Sequence, residues 1–209
     1  MRMRGLAVLV WVLMAWSADS YAQVRRLELI PFAGYRWGGS MSQISWGREF
    51  NTQSDWAYGV ALDAGMAHNS AAELYYSHFS GEWNATLNAG ETRSGSLDRD
   101  DIMLTGIWYA GDPSPNARPY LTAGLGASIY SAAQASATGH FALSLGAGLR
   151  KDVNDKVGIR VDGRWLPAWF ATGSSTWCDP YYGCHPTNTG EFYDQVELNA
   201  GVMIKLGGK

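Results

Sequence analysis

Charge is scarce in this chain. Asp, Glu, Lys and Arg make up 17% of its 209 residues, against about a quarter in an ordinary globular protein. That argues against a charged disordered tail, a coiled coil or a long helical bundle. There is no basic excess either. Lys plus Arg number 16 and Asp plus Glu 19, a formal charge of −3, so the electrostatic footprint expected of a nucleic-acid binder is missing. Past the N-terminus no apolar run approaches the roughly 20 residues of a membrane-spanning helix. Cysteine is limited to Cys178 and Cys184. Without a second pair they make a poor metal set. No glycine-rich phosphate loop occurs: Gly124, Gly126, Gly146 and Gly148 fall inside predicted strands, where glycine serves close backbone approach. What the chain does have is 25 Gly, 11 Tyr and 10 Trp.

The N-terminus reads as a secretory signal peptide over residues 1–22. Arg2 and Arg4 form a basic start, Leu6 to Trp16 an apolar run, and Ser20-Tyr21-Ala22 a small-residue cleavage box. The apolar run is too short to span a bilayer. The expected mature domain is 23–209, and export would place both cysteines where disulfides persist.

The rest of the chain alternates with period two. Leu27, Leu29, Ala33, Tyr35 and Trp37 alternate with Glu28, Ile30, Gly34 and Arg36. Similar runs begin near Trp56, Ala72, Ile102, Leu121, Phe141, Val157 and Val196, giving eight segments of about ten residues. That is the length a tilted membrane strand needs. One face of each segment is apolar and the other is Gly, Ser, Thr or charged. A soluble sandwich also alternates, but it gives no reason for large aromatics to gather at strand ends. Here Tyr35, Trp37, Trp56 and Tyr58 mark one end and Trp108 the other, as in the aromatic girdles of a membrane barrel. Predicted connections alternate in length: 38–53 long, 67–70 short, 80–99 long, 111–118 short, 131–138 moderate, 152–156 short, 168–190 long. Short periplasmic turns and long outer loops follow that rhythm. The expected fold is an all-β, eight-stranded antiparallel up-and-down transmembrane barrel.

Several stretches resemble the small eight-stranded outer-membrane barrel superfamily, the group of the OmpA membrane domain, OmpX and OmpW. The resemblance is carried by residues 26–39, Glu73 to Ser77, Arg118 to Gly126, and Leu143 to Gly148 with Val157 to Arg164. It covers nearly all of 23–209. It implies an outer-membrane location, contact with outer-membrane lipid and lipopolysaccharide, insertion by the barrel assembly machinery, and a monomer. Chains of this group usually finish on Phe or Trp, whereas this one finishes Ile204-Lys205-Leu206-Gly207-Gly208-Lys209.

An eight-stranded barrel is just wide enough for its own side chains to fill it. The inward set is Glu28, Arg36, Asp63, Glu73, Asp101, Arg150, Arg160, Asp162, Arg164 and Glu197. Both signs are present, so the expectation is a lumenal salt-bridge network. A narrow proton or ion path is the alternative, and a wide pore needs about 16 strands.

The main functional expectation is a non-enzymatic barrel with an envelope-structural or surface-interaction role through its outer loops. No cofactor or metal is expected. Two alternatives stand beside it: a small-solute conduit and a lipid-modifying enzyme. The second rests on His78, Ser80 and Glu82, which share one face of a strand and form a Ser-His-acid grouping. The His-x-Ser spacing resembles lipid A deacylase barrels. In the loop 168–190, Asp179-Pro180 starts a turn and Gly183 can take positive φ. A Cys178–Cys184 disulfide is therefore expected to close a small ring among Trp169, Phe170, Trp177, Tyr181 and Tyr182.

Overall fold

The computed structural model of the protein describes residues 26–41, 47–67, 69–87, 92–111, 117–132, 137–170, 175–179, 183–186 and 191–207. The signal-peptide segment, residues 1–22, lies outside them. The strands in chain order are β1 (Arg26–Trp37), β2 (Ser40–Met41), β3 (Gly47–Thr52), β4 (Asp55–Ala67), β5 (Ser70–Leu87), β6 (Thr92–Tyr109), β7 (Arg118–Ala132), β8 (Thr138–Asp152), β9 (Val157–Trp165), β10 (Ala168–Phe170), β11 (Ser175–Asp179), β12 (Gly183–Pro186), β13 (Glu191–Tyr193) and β14 (Val196–Gly207).

Eight of these are the staves of a closed antiparallel barrel. Each of β1, β4, β5, β6, β7, β8, β9 and β14 pairs with the next, and β14 returns to β1. Closure removes the unpaired strand edges that hydrocarbon does not tolerate. The alternation of the sequence becomes an inside and an outside. On β1, Glu28, Ile30, Phe32 and Arg36 are buried while Ala33, Tyr35 and Trp37 are exposed. The outward band includes Leu74, Ile102, Leu104, Leu121, Leu125, Leu145, Leu149, Val161, Leu198 and Val202, all exposed. A continuous apolar belt of this extent belongs in lipid, since soluble monomers rarely expose apolar patches beyond a few hundred Å².

Both described chain ends, at Arg26 and Gly207, are level with the short turns, because Leu27 pairs with Gly207 and Arg26 with Gly65. That end is periplasmic by the turn-length rule. The β8–β9 turn is built by Asn154, whose Oδ1 accepts the backbone N–H of Lys156 and of Val157, both at 2.8 Å. This side-chain mimic of a turn is the reason asparagine suits the position.

The opposite end departs from the sequence expectation. Residues 80–99, expected as a loop, are mostly paired strand: β5 and β6 run on together from Ser80↔Asp98 to Thr86↔Thr92. Within 38–53, β3 pairs with β2 and lies along the top of β5, from Thr52↔Trp83 to Gly47↔Leu87. Residues 168–190 contain β10, β11 and β12. Above the lipid neither sheet face meets hydrocarbon. The apolar period that identifies a stave therefore fades there while the hydrogen-bond ladder continues.

Candidate functional site

The lumen is filled by three linked tiers of charged side chains. Nearest the periplasm, Arg150 meets Glu28 through two parallel hydrogen bonds, Nη1 to Oε2 at 2.9 Å and Nη2 to Oε1 at 3.0 Å. This fork-to-carboxylate geometry suits arginine over lysine. In the middle tier Arg160 lies 3.1 Å from Asp63, 2.7 Å from Glu73 and 2.8 Å from Asp162. Arg164 reaches Glu73 at 2.9 Å and Asp162 at 2.7 Å. Tyr120 donates its hydroxyl to Asp162 at 2.7 Å. Its ring has room because position 148 is glycine: a Cβ there would sit 2.3 Å from the Tyr120 hydroxyl.

In the outer tier Arg36 donates to Asp101 at 2.7 Å, to Glu197 at 2.6 Å and to Ser77 at 2.8 Å. Arg99 donates to Asp101 at 2.9 Å, Gln195 at 2.7 Å, Ser128 at 3.0 Å and the Leu166 carbonyl at 2.9 Å. Asn199 stitches the tiers, donating to Asp162 at 3.2 Å and to Glu197 at 3.1 Å. The Arg164 guanidinium stacks 4.0 Å over the Tyr75 ring, whose hydroxyl donates to Glu197.

Glu28, Arg36, Asp63, Glu73, Asp101, Arg150, Arg160, Asp162, Arg164 and Glu197 are all buried in this interior. Two further arginines belong to the interior. Arg99 falls within the expected loop 80–99 and Arg118 at the end of the expected turn 111–118, and both are buried. With them, the described residues include six buried arginines and six buried carboxylates. The balance matters, because a buried charge persists only when paired and hydrogen-bonded. The signal for Arg99 was its parity with Asp101, two residues on, which puts both on one strand face.

A second constellation lies on the outer wall. On β5 the even positions point outward. Leu74 and Tyr76 belong to the apolar belt, then His78, Ser80 and Glu82 follow. The opposing β6 changes in step, from Leu104 and Ile102 to Asp100 and Asp98. The row Tyr58–His78–Asp100 is thus the first polar row above the belt. His78 Nδ1 is 2.8 Å from Asp100 Oδ1, and the Tyr76 hydroxyl donates to the same oxygen at 2.8 Å. The Tyr58 ring packs on the imidazole with centroids 5.1 Å apart. The acid against His78 is therefore Asp100 of the neighbouring strand. Glu82, the acid named from the sequence, is two register steps above Asp100's row and faces Ser96.

An aromatic cluster borders this level on the same side of the barrel. Tyr35 contacts Trp37 at 5.5 Å and Trp56 at 6.0 Å, both edge-on. At the other end of the belt Trp108 is exposed. In the hairpin β11–β12 the backbone register sets Cys178 directly opposite Cys184.

A closed eight-stranded antiparallel barrel with a lipid-facing apolar belt, aromatic borders and a charge-filled lumen defines a small outer-membrane barrel protein. The chain belongs to the outer membrane protein beta-barrel domain family, which it matches over residues 8–205, and it is located in the outer membrane. Among solved structures its fold is similar to Neisserial surface protein A, at 15% identity over 86% of this chain and 97% of that one, with a TM-score of 0.57. It is also similar to OprG from Pseudomonas aeruginosa, at 12% identity over 90% and 100% of the two chains, TM-score 0.54. A third similar structure is AlkL in lipid bilayers, at 13% identity over 90% and 94%, TM-score 0.55. At such identities the likeness is one of fold. No curated protein sequence matches the chain significantly.

Proposed function

We propose that this protein is a non-conducting outer-membrane barrel that works from its outer wall and extracellular strands, in envelope structure or surface interaction. The observation that supports this reading is the interlinked Arg–carboxylate lumen. From Glu28–Arg150 through Arg160, Arg164 and Asp162 to Arg36, Asp101 and Arg99, charged side chains cross the interior. A solute would have to break several desolvated ion pairs in series, each costing kilocalories once one partner is exposed unpaired. The surface available for interaction is instead the polar blade formed where β3, β5 and β6 rise together above the belt.

Planar-bilayer recording of the refolded barrel is the test. The expected result is no conductance steps. Discrete openings in the unmodified protein would overturn this reading in favour of a solute conduit.

Three finer points belong to the same proposal. Residues 1–22 act as a cleaved signal peptide. The barrel contacts lipopolysaccharide and is inserted as a monomer by the assembly machinery. Cys178 and Cys184 form a disulfide, supported by their direct cross-strand register. Opposed positions in an antiparallel ladder have Cα atoms about 4.5–5.5 Å apart, within the span of a disulfide. Thiol titration of the unfolded, unreduced protein should find no free thiol.

A further inference from the structure

We propose that the middle tier of the lumen binds one proton, carried by Asp63 and donated to Glu73, and that this proton lets three carboxyl groups share two arginines. Such a site goes beyond the reading above and holds whether or not the lumen conducts.

The balance of buried charge is not met tier by tier. In the outer tier Arg36 and Arg99 face Asp101 and Glu197. Nearest the periplasm Arg150 forks onto Glu28, and Arg26 reaches the same carboxylate at 3.0 Å. Arg118 stands apart, donating to Asn69 at 2.7 Å and to the Gly111 carbonyl at 3.2 Å. The middle tier is left with Asp63, Glu73 and Asp162 against Arg160 and Arg164. The hydroxyls of Tyr109 and Tyr120 border these tiers and accept from Arg150 at 3.1 Å and from Arg160 at 2.6 Å.

Strand register concentrates the surplus on one residue. Glu28 pairs directly with Asp63 across β1 and β4, and Asp63 with Glu73 across β4 and β5. Three acids therefore lie in one row, and like charges directly opposite each other are destabilising. The two ends of the row are well met. Glu28 has Arg150 and Arg26, and Glu73 accepts from Thr105 at 2.6 Å, Arg160 at 2.7 Å and Arg164 at 2.9 Å. Asp162, across the lumen, accepts from Tyr120, Arg160, Arg164 and Asn199. Asp63 has only Arg160 Nη1, 3.1 Å from its Oδ2, and that nitrogen also serves Glu73. Its Oδ1 is buried with no hydrogen-bond partner, in a residue 2% exposed.

An ionised carboxylate offers about four acceptor sites, and burying one so poorly met is costly. A carboxylic acid in the same place needs one acceptor for its O–H. Glu73 is that acceptor. Directly opposed residues have Cβ atoms about 4.5–5.5 Å apart, and the shared Arg160 Nη1 draws the two carboxyl groups together. A metal ion does not suit the spot. The oxygens of Glu28 and Glu73 are taken by guanidiniums, and among the described residues no three His, Cys, Asp or Glu side chains are placed to hold one. A proton needs no such cage. With it, two negative charges face Arg160 and Arg164, and the tier is neutral.

The experiment uses the folded protein in ester-free detergent micelles near neutral pH. Infrared spectroscopy of the wild type should show the carbonyl band of a neutral carboxyl group. That band should move when the aspartates are isotope-labelled at the carboxyl carbon, and it should vanish in Asp63→Asn. The labelled wild type reads the site even where a variant does not fold. Proton uptake on refolding from urea, followed with a pH indicator in weak buffer, is the second readout. An aspartate in the unfolded chain is ionised at this pH, so the wild type should take up one proton more per barrel than Asp63→Asn. Asp63→Asn should keep the wild-type urea midpoint, whereas Asp162→Asn should lower it by leaving Arg160 and Arg164 short of charge. Three outcomes overturn the proposal: no neutral-carboxyl band in the wild type, a band that ignores the aspartate label, or equal proton uptake by the two proteins. A loss of stability in Asp63→Asn as large as that in Asp162→Asn overturns it as well.

Discussion

Asp100 and Asp101 are neighbours in the chain and occupy two different solvents. Asp101 faces the lumen, is fully buried, and is held by Arg36 at 2.7 Å and Arg99 at 2.9 Å. Asp100 faces outward, stays partly exposed, and is held by His78 and Tyr76. Of these two adjacent residues, one neutralises two guanidiniums and the other holds an imidazole and a phenol hydroxyl. The pleat of the strand produces that difference, because successive side chains point to opposite faces. A barrel wall can thus carry a buried ion-pair network on one side and a half-exposed polar row on the other without any change of element.

The sharpest way to break the comparison is to truncate each aspartate. Asp101→Ala leaves Arg36 and Arg99 short of a partner in a desolvated interior, and should cost about 3–5 kcal/mol. Asp100→Ala removes a partly exposed pair and should cost no more than about 1 kcal/mol. Urea unfolding in detergent, followed by gel mobility and circular dichroism, reads both. Similar losses at the two positions would show that the two faces do not differ as described.

A smaller effect tests where the lipid begins. Leu104 pairs with Leu74 and with Leu125 inside the belt. Leu104→Arg should cost about 2–4 kcal/mol if this row lies near the midplane, whereas Ser96→Arg, above the polar boundary, should cost about 0–1 kcal/mol. Refolding titrations into lipid vesicles give the two values. An equal cost would move that boundary.

The smallest effect on the barrel comes from the hairpin β11–β12. Replacing Cys178 and Cys184 together by Ser should leave the unfolding midpoint of the barrel unchanged. It should also speed proteolysis within 168–190, since a ring this short adds only about 2–3 kcal/mol to local order. Loss of the folded barrel in that double variant would mean that the cysteines serve the barrel itself.

The staves were legible from end to end within the belt, because hydrocarbon outside and polar groups inside imprint a period of two on each of them. Beyond the belt that contrast vanishes. The upper parts of β5 and β6 carry residues such as Ser94, Ser96, Asn84 and Thr86 on strands that still pair, so these positions read as loop. Arg99 lies in the same stretch. Within its own strand the acid that shares the face of His78 is Glu82, whereas the acid that meets it, Asp100, sits 22 residues away on β6.

Alternation, aromatic borders and turn chemistry by themselves determined a membrane barrel and the ten inward charges, since each depends only on the local period of the chain and the solvent on either side. Tertiary structure alone decided the partners. Which carboxylate meets Arg36, and which acid orients His78, depend on strand register and on closure of β14 against β1. These bring together side chains as distant in the chain as Arg36 and Glu197, 161 positions apart, and a period of two repeats identically at every register that preserves its face.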